Sequence, residues 1–342
     1  MDNSTADGGL PNAWQNHSYR TIYMVKPVTG LKPFILTTYL FMFVLGSISN
    51  GLVIYIIGRF RQVRVKYVAN YYIWNLAFAD FFFSLTLPFF CYATFTNDWP
   101  FGSVACKISH AISESNKHVG IFILVAISLD RYAASHYNLA VLRTKRIGKF
   151  VCALAWTSST LLTTPYWLYG GTVSVEGGRN SCRLFWNYDT MKAWLYFQFS
   201  VGFILPLVTI FTVFVGIGLR VRKLLGGRAS AAIKRPGRKM TRISLVAAVT
   251  FLVTQLPYYV MEIVNGEKGM ALQSSGQMPD SVPEHEKRLF VILTFGSKTL
   301  VYMSSCCNPI IYGFLNTNYS KYTRQFWRDQ ERRYKNVQTS IT

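Results

Sequence analysis

The chain has 342 residues, of which 51% are hydrophobic and 15% charged, and its 36 Lys and Arg against 15 Asp and Glu give a formal net charge of +21. In a water-soluble chain such basicity points first to nucleic acid; here the positive residues cluster between long apolar runs, which excludes that reading in favour of a membrane protein. Six cysteines, scattered along the whole length, exclude a disulfide framework.

The first 34 residues are polar and hold no apolar h-region, so no cleaved signal peptide is expected. In this tail Asn3-Ser4-Thr5 and Asn16-His17-Ser18 are glycosylation acceptors at Asn3 and Asn16. A spanning helix needs about 20 apolar residues for a hydrocarbon core of roughly 30 Å. By that measure the chain crosses a bilayer near 35–58, 69–95, 106–132, 147–169, 193–219, 240–264 and 288–313.

The gaps between these spans sort by charge. Arg59, Arg61, Arg64 and Lys66 follow the first span, and Arg131, Arg143, Lys145, Arg146 and Lys149 separate the third from the fourth. Nine Lys and Arg from Arg220 to Arg242 lie between the fifth and sixth with no acid among them, and Lys321, Arg324, Arg328, Arg332, Arg333 and Lys335 follow the seventh. Short loops rich in Lys and Arg stay cytoplasmic, so these segments face inward and the N-terminus outward; the plasma membrane is the expected location. The expected organisation is an outer tail 1–34, a membrane domain 35–313, and an inner segment 314–342.

Outside, the loop at 170–190 alternates around Gly177-Gly178 and reads as a β-hairpin. Cys91, Cys152, Cys306 and Cys307 sit within spans as small apolar residues. Cys106 and Cys182 instead lie on the oxidising side, and a bridge between them is inferred. Inside, Asn316 is a candidate N-cap for Thr317–Trp327, which puts Tyr319, Tyr322 and Phe326 on one face and reads as an amphipathic helix on the inner membrane surface. The acceptor pattern Asn318-Tyr319-Ser320 falls on that inner side and is set aside.

Polar groups inside a bilayer are costly and mark function. The first span carries Ser49-Asn50-Gly51-Leu52-Val53 and the second Asn75-Leu76-Ala77-Phe78-Ala79-Asp80. The third ends Ser128-Leu129-Asp130-Arg131-Tyr132; Trp156, Pro206 and Pro257 mark the next three, and the seventh holds Asn308-Pro309-Ile310-Ile311-Tyr312. In this order, over residues 35–328, the pattern resembles the rhodopsin-like (class A) G-protein-coupled receptors. Spacing agrees independently: Cys106 and Arg131 are 25 residues apart, roughly 37 Å of helix, which sets the bridge and the arginine at opposite membrane faces.

The resemblance implies an all-α membrane fold: seven transmembrane helices with a short amphipathic eighth and an extracellular hairpin. It implies that Asp130, Arg131 and Tyr132, the sixth-helix residues Phe251, Gln255 and Pro257, and the hinge Asn308, Pro309 and Tyr312 carry activation of a heterotrimeric G protein, with arrestin as a second partner. Asp80, Asn116, Ser304 and Ser305 correspond to the family's sodium site, an allosteric ion and the one cofactor implied; a protonated or hydrogen-bonded Asp80 is the alternative. Several positions depart from the pattern. Gln255 replaces a tryptophan, Phe214 a tyrosine, Asn138 a proline, and Gly120 a hydroxyl-bearing residue. No acid occurs between Arg220 and Glu262, so a clamp on Arg131 from the foot of the sixth helix is missing and raised basal signalling is expected.

In the family the outer halves of the helices hold the ligand. Glu114, Lys117, Glu262 and Lys298 supply charges there, with Trp99, Phe90 and Tyr302 as aromatic lining. Structural pairing of Glu114 or Glu262 with Lys298 is an alternative role. Ser113 stands where amine receptors carry an acid, and Tyr302 where opsins carry the retinal lysine, so neither class fits. The hairpin, Thr86-Leu87-Pro88-Phe89 and the mixed-charge pocket resemble the somatostatin, opioid, galanin and allatostatin C receptors, whereas Gln255-Leu256-Pro257-Tyr258 also occurs in chemokine receptors. The reading is therefore a receptor for an extracellular peptide, coupled to the inhibitory class of G protein, with a chemokine-like or other small ligand as the alternative. The basic inner rim also attracts anionic membrane lipid. A transporter is a remote alternative, since no paired broken helices are found. An enzyme is not expected, because His17, His110, His118, His136 and His285 form no ligand set.

Overall fold

The computed structural model describes residues 29–59, 68–136, 139, 141, 143–175, 177–185, 188–226, 235–275 and 284–315, with isolated helical residues between 324 and 332. Asn3, Asn16, most of the expected amphipathic helix and the side chain of Tyr312 lie outside the described residues. The membrane domain is a seven-helix bundle. Its crossings are α1 (Lys32–Arg59), α2 (Val68–Thr96), α3 (Gly102–Ser135), the pair α4 (Lys145–Leu162) and α5 (Thr164–Tyr169), the pair α6 (Tyr188–Phe199) and α7 (Leu205–Gly226), α8 (Arg235–Ser275) and α9 (Glu284–Leu315).

Burial runs opposite to that of a soluble protein. Phe34, Phe41, Ile48, Phe150, Leu161, Leu205 and Phe211 point outward and exposed, while Asn50, Asp80, Asn116, His118, Ser128 and Gln255 are buried inside. Lipid covers the first set without penalty, and within the second, Asn50, Asp80, Asn116 and His118 hydrogen-bond to neighbouring helices. Trp156 of α4 donates its indole N–H to Asn75 Oδ1 of α2 at 3.0 Å, and Asn50 donates to the Ser305 carbonyl at 3.3 Å, tying α1 to α9.

Six of the crossings are long and apolar enough to span a membrane as single helices or near-continuous ones. The fourth is different. Lys145, Arg146 and Lys149 occupy the first turns of α4, and the chain turns at Thr163 into α5, which opens with Pro165. The fifth crossing contains one π turn at Ser200–Ile204, in which the Leu205 N–H bonds the Ser200 carbonyl. Pro206 follows it without an N–H to give, and the wide turn re-routes the ladder past that gap.

The hairpin is present. Strands β1 (Gly170–Val175) and β2 (Arg179–Leu184) pair antiparallel with Thr172 opposite Cys182. Gly177 and Gly178 have φ of 81° and 70°, the left-handed backbone that carries the chain round from Val175 to Arg179 and that glycine adopts without strain. The hairpin is fastened in three ways. Cys106 and Cys182 form a disulfide, the Trp99 N–H bonds the Asn180 carbonyl at 2.9 Å, and the Asn180 N–H bonds Asp98 Oδ1 at 2.7 Å. It thus stands as a fixed wall beside the outer end of α3.

Candidate functional site

Helix α3 runs through the middle of the bundle, and the groups with chemistry fall along it at three depths. Outermost is a cavity of about 170 Å³ among α1, α2, α3, α9 and β2, into which Phe90, Glu114, Lys117, Lys298 and Tyr302 all project. Beside it, toward α5, α6 and α8, lies a second cavity of about 100 Å³ that Glu262 lines. The two share His110, Glu114, Lys117, Leu184, Tyr258 and Lys298, so these residues form the partition of one bilobed chamber.

Glu114 and Lys117 are one helical turn apart and form an ion pair at 2.6 Å. That spacing is the standard one for side chains that meet on a helix. Lys117 Nζ also donates to the Tyr258 hydroxyl of α8 at 2.7 Å. One buried amine therefore joins α3 to α8, immediately beyond Pro257. Pairing of Glu114 or Glu262 with Lys298 does not occur: among the described residues, Glu262 and Lys298 belong to no ion pair. The chamber therefore offers one self-neutralised pair, Lys298 in the partition, Arg183 in the outer lobe, and Glu262 in the inner lobe.

Tyr302 stacks on Phe83 with centroids 4.6 Å apart and leans on Tyr39, which fixes the floor of the outer lobe. Trp99 does not line either lobe. It is buried against the bridge formed by Cys106 and Cys182, with its indole N–H on the Gly102 carbonyl at 3.0 Å, and so braces the wall from behind. Tyr258 and His110 are site residues that the reading of the sequence passed over. His118 spans from the Glu114 carbonyl at 2.9 Å to Gln198 of α6 at 2.6 Å. Among the described residues, the one grouping of metal-ligand types is Cys106, His110 and Cys182. Both sulfurs there are spent in the disulfide, so no thiolate remains to hold a metal.

Deeper in the bundle, a cavity of about 30 Å³ is lined by Asp80, Asn116, Gly120, Gln255, Ser304, Ser305 and Asn308, together with Lys117 and Phe251. Asp80 Oδ1 accepts from Asn116 at 2.9 Å and Oδ2 from Asn308 at 2.8 Å, while Ser305 donates to Asn116 Oδ1 at 3.5 Å. Pro309 follows Asn308 inside α9, and Pro257 lies inside α8. Below this cavity Phe251 and Phe214 pack on Ile121, Leu124 and Ile210, an apolar plug between α3, α7 and α8.

At the inner end Asp130 and Arg131 form a buried ion pair. Arg143 joins them: its Nε bonds Asp130 Oδ1 at 2.9 Å and its Nη2 bonds Oδ2 at 3.4 Å. Two guanidinium groups thus share one carboxylate, an arrangement that position alone did not foretell. Tyr132 stacks against His136 and covers Gly216 of α7, where a Cβ would stand 2.8 Å from its ring.

Known proteins with this pattern are numerous. The family described as "7 transmembrane receptor (rhodopsin family)" matches residues 49–312. Mouse somatostatin receptor type 2 is 31% identical over 83% of this chain and 74% of its own length. Human somatostatin receptor type 3 is 31% identical over 89% of this chain and 70% of its own, and rat type 5 is 30% identical over 91% and 82%.

Proposed function

From the premise that this chain belongs to the rhodopsin family of seven-transmembrane receptors, we propose that it binds an extracellular peptide and activates a heterotrimeric G protein of the inhibitory class. It is a multi-pass membrane protein and not an enzyme. Similarity to somatostatin receptors supports the peptide. The observation that carries the reading is the layout of α3, with the Glu114–Lys117 pair in an outward chamber and the Asp130–Arg131 pair at the opposite end.

The chamber suits a segment with both charge and aromatic surface. A ligand carboxylate finds Lys298 in the partition, a ligand ammonium finds Glu262 in the inner lobe, and Phe90 and Tyr302 receive apolar groups. Peptide charges that approach Glu114 or Lys117 compete with their mutual pairing and with the Lys117–Tyr258 bond. That contact holds α8 against α3, so its loss favours the arrangement in which the inner half of α8 swings away. A ligand shifts such an equilibrium by the difference between its affinities for the two states. Pro257 and Pro309 each remove one backbone hydrogen bond and supply the bends about which the inner halves move. Arg131, released from Asp130, then meets the G protein.

A sodium ion fits the inner cavity. Asp80 receives only neutral donors there, the amides of Asn116 and Asn308 and the Ser305 hydroxyl, and a buried carboxylate needs a cation or a proton. Asp80, Asn116, Ser304 and Ser305 would hold the ion, which supplies the missing countercharge and favours the inactive packing. The basic inner rim is assigned to anionic lipid and to arrestin, with Thr339, Ser340 and Thr342 as kinase targets in the tail.

The test is nucleotide exchange on an inhibitory G protein in membranes carrying this chain, challenged with a neuropeptide library that includes somatostatin and galanin. A peptide that raises exchange, with the response abolished by Arg131→Ala and peptide binding retained, supports the reading. Full exchange in the Arg131→Ala protein contradicts it, as does a library-wide silence accompanied by solute uptake.

A further inference from the structure

Gln255 is 4% exposed, and its side-chain oxygen Oε1 is buried without a hydrogen-bond partner. An unpaired buried carbonyl costs on the order of 1–3 kcal/mol, so its persistence calls for a partner. The residue lines the small cavity that holds Asp80, Asn116, Ser304 and Asn308. We propose that Gln255 is a direct oxygen ligand for a monovalent cation at Asp80, contributed by the sixth helix. The inference rests on the cation reading of that cavity.

Three observations converge on it. The cavity measures about 30 Å³, room for a single small ion and little else. Gly120 leaves the α3 wall without a hydroxyl: a Cβ there would touch only Leu76 Cδ1, at 3.9 Å, so an oxygen is missing on that side. The neighbouring cation does not fill the need. Lys117 caps the cavity, but its amine is turned outward to Glu114 and the Tyr258 hydroxyl. Hard cations take oxygen ligands, and an amide oxygen on α8 replaces the one absent from α3. A tryptophan at 255 offers an N–H donor and no oxygen ligand.

The placement has a consequence for signalling. An ion held by Asp80 of α2 and Gln255 of α8 ties the sixth helix inward directly. This chain lacks an acid between Arg220 and Glu262 to clamp that helix at its inner foot. The cation cavity takes over that restraint.

The experiment uses the purified full-length receptor in detergent. Its melting temperature is followed while sodium chloride replaces choline chloride at constant ionic strength. Wild type is stabilised by sodium, and Asp80→Asn abolishes the response. Gln255→Leu raises the sodium midpoint about ten-fold or more, while its melting temperature in choline alone reports whether it has folded; Gln255→Met is read in its place if the leucine variant does not. An unchanged midpoint in the folded variant overturns the role of Gln255 while leaving the Asp80 site standing. Absence of any sodium response in wild type overturns both, without bearing on whether the chain is a receptor.

Discussion

Lys117 is 6% exposed, and removing its amine strands the Glu114 carboxylate in the bundle interior. Breaking one half of a buried pair destabilises by roughly 3–5 kcal/mol, whereas replacing both halves with apolar groups is often neutral. Lys117→Met is therefore expected to lower the melting temperature sharply, and Glu114→Leu/Lys117→Met to recover most of the loss. A double variant as unstable as the single one would show that the amine works through Tyr258 and not through Glu114. The inner end obeys similar arithmetic with the opposite result for signalling. Asp130 is shared by Arg131 and Arg143, so Arg131 leaves without stranding a bare carboxylate. Deleting Arg143 gives Asp130 wholly to Arg131. Arg143→Ala should thus reduce ligand-free nucleotide exchange several-fold; basal exchange that holds or rises would place Arg143 among the restraints instead.

Among the elements, the hairpin depends most on one bond. The Cys106–Cys182 bridge closes 76 residues of sequence. Such closure is worth about 4.5 kcal/mol in chain-entropy terms, an upper figure because the lipid already confines the ends of the loop. A mild reductant should lower the melting temperature of wild type and leave the Cys106→Ala/Cys182→Ala protein unmoved. An equal fall in both would show that the reductant acts on something other than this bridge, since Cys91, Cys152, Cys306 and Cys307 are already free thiols. A second element-scale test lies where α6–α7 meets α8. A Cβ on Gly202 would stand 2.6 Å from the Tyr259 hydroxyl and 3.4 Å from His118 Nε2. Overpacking of this kind costs about 1–3 kcal/mol, and Gly202→Ala should show it in thermal melts, with relief in the Gly202→Ala/Tyr259→Phe pair. The sequence marked these elements because hydropathy marks lipid. Its limits have the same cause: α8 is read from 240 to 264 but runs Arg235–Ser275, since a helix ladder continues past the point where the bilayer stops asking for apolar residues. The break at Thr163 left no trace in hydropathy either. Within the site, Asp80 was legible as a lone acid deep in a span, whereas Asn308 and Arg131 were legible through the ordered motifs that carry the resemblance to rhodopsin-like receptors. Trp99 was misplaced because an aromatic near the outer face serves a wall as readily as a pocket, and Tyr258 was missed because one more tyrosine beside Pro257 carries no signal of its own. Arg143 and the Lys117–Tyr258 bond depend on which helix faces which, a property of packing and not of any single span.

At the scale of the molecule, two independent arrangements must agree: the sign of the loops and the order of chemistry along α3. The Lys and Arg segments after the first, third, fifth and seventh crossings fix one face as cytoplasmic. The bridge at Cys106 needs the oxidising face, and Arg131, far along the same helix, needs the cytosol. An odd number of crossings then leaves the two ends of the chain on opposite sides. In cells expressing the chain with an epitope tag at each terminus, antibody should reach the N-terminal tag without permeabilisation and the C-terminal tag only after it. Glycosidase treatment should increase gel mobility, and substitution of Asn3 and Asn16 together should remove that shift. If both tags were reached from outside, the Lys and Arg after the seventh span would lie on the wrong face for the charge rule, and one crossing would be lost. If both tags stayed hidden until permeabilisation, an even number of crossings would follow. The weakest candidate for a true crossing is α4–α5, whose first turns carry three cations. Its retention rests on Trp156 reaching Asn75 and on the Ser115–Ser159 contact at 2.8 Å, bonds that a helix lying outside the bilayer has no means of making.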